Sequence, residues 1–142
     1  MELRTELEIY ATPTRVWQIL TNVADYPTWN PFISHVRGVL VAGQTVEATL
    51  SFGDGSEALL RPRVEVVEAE RELVWSSHLW WPGVLDEKQR FLLAPRGEGT
   101  LLVNGRVTTG WAIKWFTKRL TWTARGCVGM NEALKRVAES GG

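Results

Sequence analysis

The residue types that usually carry acid–base or nucleophilic chemistry are sparse in this chain. Its two histidines, His35 and His78, stand far apart in the sequence. His78 shares the polar parity of its run with Ser76, so it reads as an outward residue, and both imidazoles are assigned to the surface or rim. The one cysteine, Cys127, falls on the apolar stripe of a helical run. A buried thiol there behaves as a small hydrophobe rather than a nucleophile. No phosphate-cradling P-loop, GxGxxG turn, HExxH zinc helix or GxSxG nucleophile turn occurs. A single cysteine also excludes an intrachain disulfide and a multi-cysteine zinc cage. No catalytic residue, metal or cofactor is therefore assigned. Periodicity sends one amide inward: Gln89 lies on the same face as Phe91 and Leu93. Around Arg106 the pattern stays open, because Leu101 and Val103 compete for the inner face with Asn104 and Arg106.

The chain that must position these groups has 142 residues and a mass of 16.0 kDa, the size of one domain. Hydrophobic residues make up 44% and charged residues 23%, which argues against disorder and for a packed core. No apolar run approaches the roughly 18 residues of a spanning helix. Sixteen basic residues balance sixteen acidic ones, so a nucleic-acid partner is not expected. The start, MELRTELEIY, has no basic and apolar leader pattern, and with the lone thiol this predicts a cytoplasmic location.

Residues 2–10 alternate, with Leu3, Thr5, Leu7 and Ile9 on one face, as in a half-buried strand. Thr12 is a natural N-cap and Pro13 suits the first helical position, so a helix runs to about Asn22. A short helix or aromatic loop follows over 25–32. From about 33 to 110 the period is two, in about six strands. Turn signals at Ala42-Gly43, Gly53-Asp54-Gly55, Pro82-Gly83 and Gly97-Glu98-Gly99 make them an antiparallel meander. Pro62 inside the run 60–66 marks an edge or a bulge. By parity the run 73–81 turns Trp75 and Trp81 inward and Trp80 outward. From about Ile113 to Glu139 the period is helical, with Ile113, Phe116, Leu120, Cys127, Leu134 and Ala138 in one stripe. Gly126 and Gly129 mark a bend or close packing there. The domain is 1–139, and 140–142 is a frayed tail.

This order predicts an α+β domain whose long C-terminal helix buries its stripe on a curved antiparallel sheet. The sequence resembles the START/birch-pollen-allergen superfamily (SRPBCC), in its bacterial polyketide cyclase/dehydrase and lipid-transport branch. The carriers are TPTRVWQILTNVADYPTWNPF at 12–32, RPRVEVVEAERELVW at 61–75 and TARGCVGMNEALKRVAE at 123–139. The resemblance implies a helix-grip fold with a cavity between sheet and helix. It also implies that Asn104 and Arg106 face inward, where Arg106 meets a polar ligand group or bridges to a carboxylate such as Glu87. Where the family pattern shows histidine or glutamate, this chain has Gln89 and Arg106, and neither amide nor guanidinium shuttles protons at neutral pH. In the family pattern the aromatics Trp17, Tyr26, Trp29 and Phe32 gate the cavity; plain core packing is the alternative.

The expected cavity set is Trp29, Leu50, Phe52, Val64, Trp75, Ser77, Leu79, Gln89, Phe91, Asn104, Arg106, Phe116, Leu120 and Cys127. The expected ligand is a small hydrophobic or amphipathic molecule: a lipid, quinone, polyketide or aromatic. The alternatives are a polyketide cyclase or aromatase, and a partner-binding module using an outer tryptophan face. Eight tryptophans are present, and Trp115 and Trp122 lie seven residues apart, away from the core stripe. Between Gly99 and Asn131 there are five basic residues and no acidic one. That face reads as a homodimer patch, as packing under a neighbouring loop, as a peripheral membrane contact or as a solvated helix face.

Overall fold

The computed structural model describes residues 1–140; Gly141 and Gly142, in the expected tail, lie outside the described residues. Strand β1 (Glu2–Ile9) alternates in exposure as its sequence does. Helix α1 (Pro13–Thr21) opens where the Thr12 hydroxyl accepts the Arg15 N–H at 3.2 Å, with proline in the first turn. A 3-10 turn at Val23–Asp25 leads into the single-turn helix α2 (Tyr26–Trp29).

Seven strands follow, one more than the sequence reading: β2 (Ile33–Arg37), β3 (Glu47–Ser51), β4 (Glu57–Leu60), β5 (Arg63–Glu68), β6 (Glu72–His78), β7 (Asp86–Arg96) and β8 (Gly99–Thr109). The run 60–66 is not one strand. Pro62 lies between β4 and β5, where the chain leaves a three-stranded sheet, β2-β3-β4, for a five-stranded one, β1-β8-β7-β6-β5. Proline cannot donate to a ladder, so it suits this corner. Its carbonyl accepts the Val46 N–H at 3.0 Å, and Gly43, Gln44 and Val64 exchange further bonds, which ties the two sheets into one curved wall.

The run 73–81 also breaks earlier than parity predicts. Strand β6 ends at His78, and Trp80 takes a left-handed φ of 64°. The alternation therefore stops, and Trp80 and Trp81 are both exposed. The expected inward Trp81 is corrected.

Helix α3 spans Thr117–Glu139. It starts later than expected, because Ile113–Trp115 form a separate 3-10 turn, so Ile113 and Phe116 stand outside its buried stripe. That stripe comprises Leu120, Thr123, Cys127, Met130, Asn131, Leu134 and Ala138, with Ala133 beside it. Gly126 is required by close packing: a Cβ there would sit 2.2 Å from Phe32 Cδ1. The result is an α+β helix-grip fold, with the apolar faces of both sheets, α1 and α3 in one core.

Candidate functional site

Cross-strand register builds the interior in rows. Trp75 on β6 faces Gln89 on β7, which faces Arg106 on β8. In the next row toward the strand end Ser77 faces Glu87, and in the row on the other side Leu73 faces Phe91, which faces Asn104. Helix α3 closes over these rows with Cys127 and Asn131. Asn104 and Arg106 do point inward, and Leu101 and Val103 are only partly covered.

The polar groups of these rows form one connected network. The Arg106 guanidinium donates to Glu87 Oε2 through Nη2 and to Gln89 Oε1 through Nη1, the latter at 2.7 Å. Gln89 Nε2 donates to Asn104 Oδ1, and Asn104 Nδ2 donates to Asn131 Oδ1 at 2.8 Å. Asn131 in turn donates to the Thr5 hydroxyl at 2.7 Å. Arg119 of α3 approaches Glu87 Oε1 at 3.4 Å. The cluster of Glu87, Arg106 and Arg119 thus holds one carboxylate against two guanidinium groups. Burial pushes the Arg106 guanidinium down to about 10, and Arg119 adds to the effect, yet the group stays charged at neutral pH. Arg106 Nε is buried with no hydrogen-bond partner among the described residues.

Beside this cluster a cavity of about 20 Å³ remains, with room for about one water. Of the expected set, Leu50, Trp75, Ser77, Gln89 and Arg106 line it. Ile33, Ala48, Leu60, Pro62 and Glu87 line it as well. Glu87 and Asn131 were legible in part: Glu87 shares parity with Gln89, and Asn131 falls on the buried side of α3. The other expected residues sit elsewhere. Val64, Phe91 and Leu120 are fully packed, with Phe91 edge-on to Trp75 at 6.2 Å. Asn104 and Cys127 are buried next to the cavity rather than in its wall. Burial raises the Cys127 thiol, and nearby Arg106 partly offsets this. Leu79 belongs to the turn after β6, half-buried, because β6 has already ended. Trp29 packs edge-on against Tyr26 at 5.2 Å and lines neither the cavity nor the clefts described next.

Phe52 and Trp122 are both half-buried, and their ring centroids are 6.2 Å apart. This contact joins the β3–β4 loop to α3, and a cleft opens on each side of it. One, about 430 Å³, passes Asp54, Arg125, Gly126 and Gly129. The other, about 410 Å³, is bounded by Trp115, Phe116, Lys118 and Arg119. Each has the volume of an ordinary small-molecule site. Arg119 spans two environments, lining the second cleft while touching buried Glu87. Trp122 is half-buried on Phe52, so it does not share the exposed face of Trp115. Expected Phe52 and Phe116 therefore belong to the clefts, outside the inner cavity.

The sequence matches the family model for polyketide cyclase/dehydrase and lipid transport over residues 1–139. The chain belongs to that family. No curated protein matches the chain in sequence. Solved structures share its fold. Protein MLL2253 from Mesorhizobium loti superposes with a TM-score of 0.80 at 17% identity, covering 100% of this chain and 99% of that one. A START superfamily protein from Mycobacterium smegmatis gives 0.74 at 16%, covering 98% and 97%. The di-domain aromatase/cyclase StfQ from the steffimycin biosynthetic pathway gives 0.76 at 14%, with 98% of this chain spanning 50% of that one. Within the family fold, this member places a net-positive polar cluster where the sheets and α3 converge.

Proposed function

We propose that this family member binds a small hydrophobic or amphipathic molecule between the sheets and α3. The ligand class is a lipid, quinone, polyketide or aromatic carrying an acidic or carbonyl group. The observation that carries the reading is Arg106: a buried guanidinium with an unpartnered Nε–H, in a cluster with one excess positive charge. An isolated polar donor in an apolar interior is costly, and a ligand oxygen would satisfy it. Apolar walls such as Leu50, Leu60 and Trp75 would supply affinity at about 25 cal/mol per Å² buried. The inner cavity is too small for such a molecule as it stands, so the ligand enters by parting Phe52 from Trp122. Arg119 then hands its acidic end from the cleft toward Arg106.

Native mass spectrometry of the purified protein, before and after solvent extraction, tests this. A stoichiometric co-purifying hydrophobic molecule is the expected result. A clean mass that also fails to shift on titration with fatty acids, quinones and aromatic polyketides would refute it.

The second reading is a cyclase or aromatase, which the position of Arg106 beside the cavity favours. A guanidinium there would stabilise an enolate developing on a folded substrate. Arg106→Lys keeps the charge but loses the fork. A cyclase would lose turnover with that change, whereas a carrier would lose only part of its affinity.

A further inference from the structure

Tryptophan is a residue that proteins bury, yet Trp80, Trp81, Trp111 and Trp115 are 68%, 70%, 68% and 63% exposed. They converge on one end of the molecule. The Trp111 N–H donates to Gly83 O at 3.1 Å and the Ala112 N–H donates to Val84 O at 3.0 Å, which stitches the 79–85 turn to the 110–115 turn. Gly110 permits this approach: its φ is 129°, and a Cβ would lie 2.3 Å from Val84 O. Trp111 and Trp115 meet edge to face at 5.7 Å. Trp80 is held in the left-handed region, which is unfavourable for a bulky residue and persists only where the surroundings impose it.

The charges around these rings are mainly basic. Lys114 Nζ sits 4.7 Å over the Trp115 ring; Lys118 lines the same cleft as Trp115, with its Nζ 5.0 Å over the half-buried Trp122 ring outside the four-indole face. Arg119 and Arg125 follow on α3. Two carboxylates lie nearby and keep their charge: Asp86 accepts the Gly83 N–H at 3.0 Å, and Asp54 accepts from Ser56 and also faces Lys118. Burial leaves Glu87 behind Arg106 and Arg119.

We propose that this tryptophan end docks on an anionic lipid surface. Indoles favour the headgroup level, where the ring meets acyl chains and the N–H meets water. Lysines beside them are drawn to anionic headgroups. Charge also disfavours a second copy of the chain, because a two-fold contact would bring two copies of the same lysine-bearing patch together. Among the described residues no helix is long and apolar enough to cross a membrane, so the contact is peripheral. Docking rests on these indoles and lysines alone. Its consequence, that the cleft bounded by Trp115 and Lys118 faces the bilayer and takes ligand from it directly, rests on the ligand-binding reading above.

The test is co-sedimentation of the full chain with phosphatidylcholine vesicles, with and without phosphatidylglycerol, at low and high salt. Binding is expected only with phosphatidylglycerol and is expected to fall at high salt. The pairs Trp80→Asn/Trp81→Ser and Trp111→Ser/Trp115→Ser should each abolish pelleting; the first pair should do so without lowering the unfolding temperature, since both rings are exposed and asparagine suits the left-handed position. Lys114→Glu/Lys118→Glu should weaken binding by about fivefold or more per site. Failure to pellet with phosphatidylglycerol at low salt overturns the proposal, as does equal pelleting of wild type and tryptophan variants. A tryptophan-dependent dimer in light scattering without vesicle binding overturns it in favour of a copy interface. Native mass spectrometry on Trp80→Asn/Trp81→Ser, which lies outside both clefts, separates the two readings: retained ligand with lost pelleting, or no pelleting at all, leaves the cavity reading intact.

Discussion

Glu87 and Arg106 form an ion pair across neighbouring strands, their side chains only 6% and 5% exposed. Two charges taken out of water are stable there because each has further partners: Arg119 reaches the same carboxylate, and Gln89 takes another N–H of the guanidinium. Such a pair adds little net stability over apolar replacements, but losing one member strands the other. Glu87→Ala is expected to cost about 3–5 kcal/mol in urea unfolding, whereas Glu87→Leu with Arg106→Met recovers most of it. A single-variant loss below about 1 kcal/mol would show that the interior is wetter than the packing implies.

Gly126 answers a different question, the fit of α3 on the core. In an unconstrained helix, alanine is more favourable than glycine by roughly 0.5–1 kcal/mol. Here the added methyl meets the Phe32 ring, and overpacking of this kind costs about 1–3 kcal/mol. Gly126→Ala should therefore destabilise, and adding Phe32→Leu should restore part of the loss. Stabilisation by the single change in thermal unfolding would mean that α3 does not press on Phe32.

Tyr26 carries a pH dependence. Its hydroxyl is buried and donates to Leu20 O, and burial raises the phenol well above its ordinary value of 10.0. As pH rises past 10.0 the unfolded chain loses this proton while the native state keeps it. The unfolded state then binds fewer protons, so stability falls with rising pH. Tyr26→Phe should cost about 0.5–1.5 kcal/mol near neutrality and flatten part of the alkaline decline. An unchanged alkaline slope in chemical denaturation would contradict a buried, protonated phenol.

Cys127 offers a probe of the interior. The thiol is buried and burial holds it in the protonated form, so little thiolate is available. Iodoacetamide should leave the native protein unmodified at pH 8 (about the ordinary thiol range) and add one label in urea. Phe52→Ala, by loosening the contact with Trp122, should speed native labelling. Fast labelling of wild type would show that the interior already opens freely.

Periodicity and local chemistry determined a good deal. The alternation of Leu3 to Ile9, the Thr12-Pro13 helix start, the glycine turns and the stripe through Leu120, Cys127, Leu134 and Ala138 are each written within a few residues. They suffice for a curved sheet gripping a long helix, and they sent Gln89 inward. Tertiary structure decided what stands opposite each residue. Resemblance could offer Glu87 as a partner for Arg106, but the register of β7 on β8 and the closing of α3 made the pair and added Arg119 and Asn131. Pro62 became a corner because two sheets need a place to separate. The alternation through Trp81 failed because a left-handed Trp80 ended the pleat, and it was the hydrogen bonds to the 110–115 turn that gathered four indoles at one end. The size of the cavity was decided in the same way: it is the space left after long-range neighbours pack, and a period of two or of 3.6 carries only the face each residue takes.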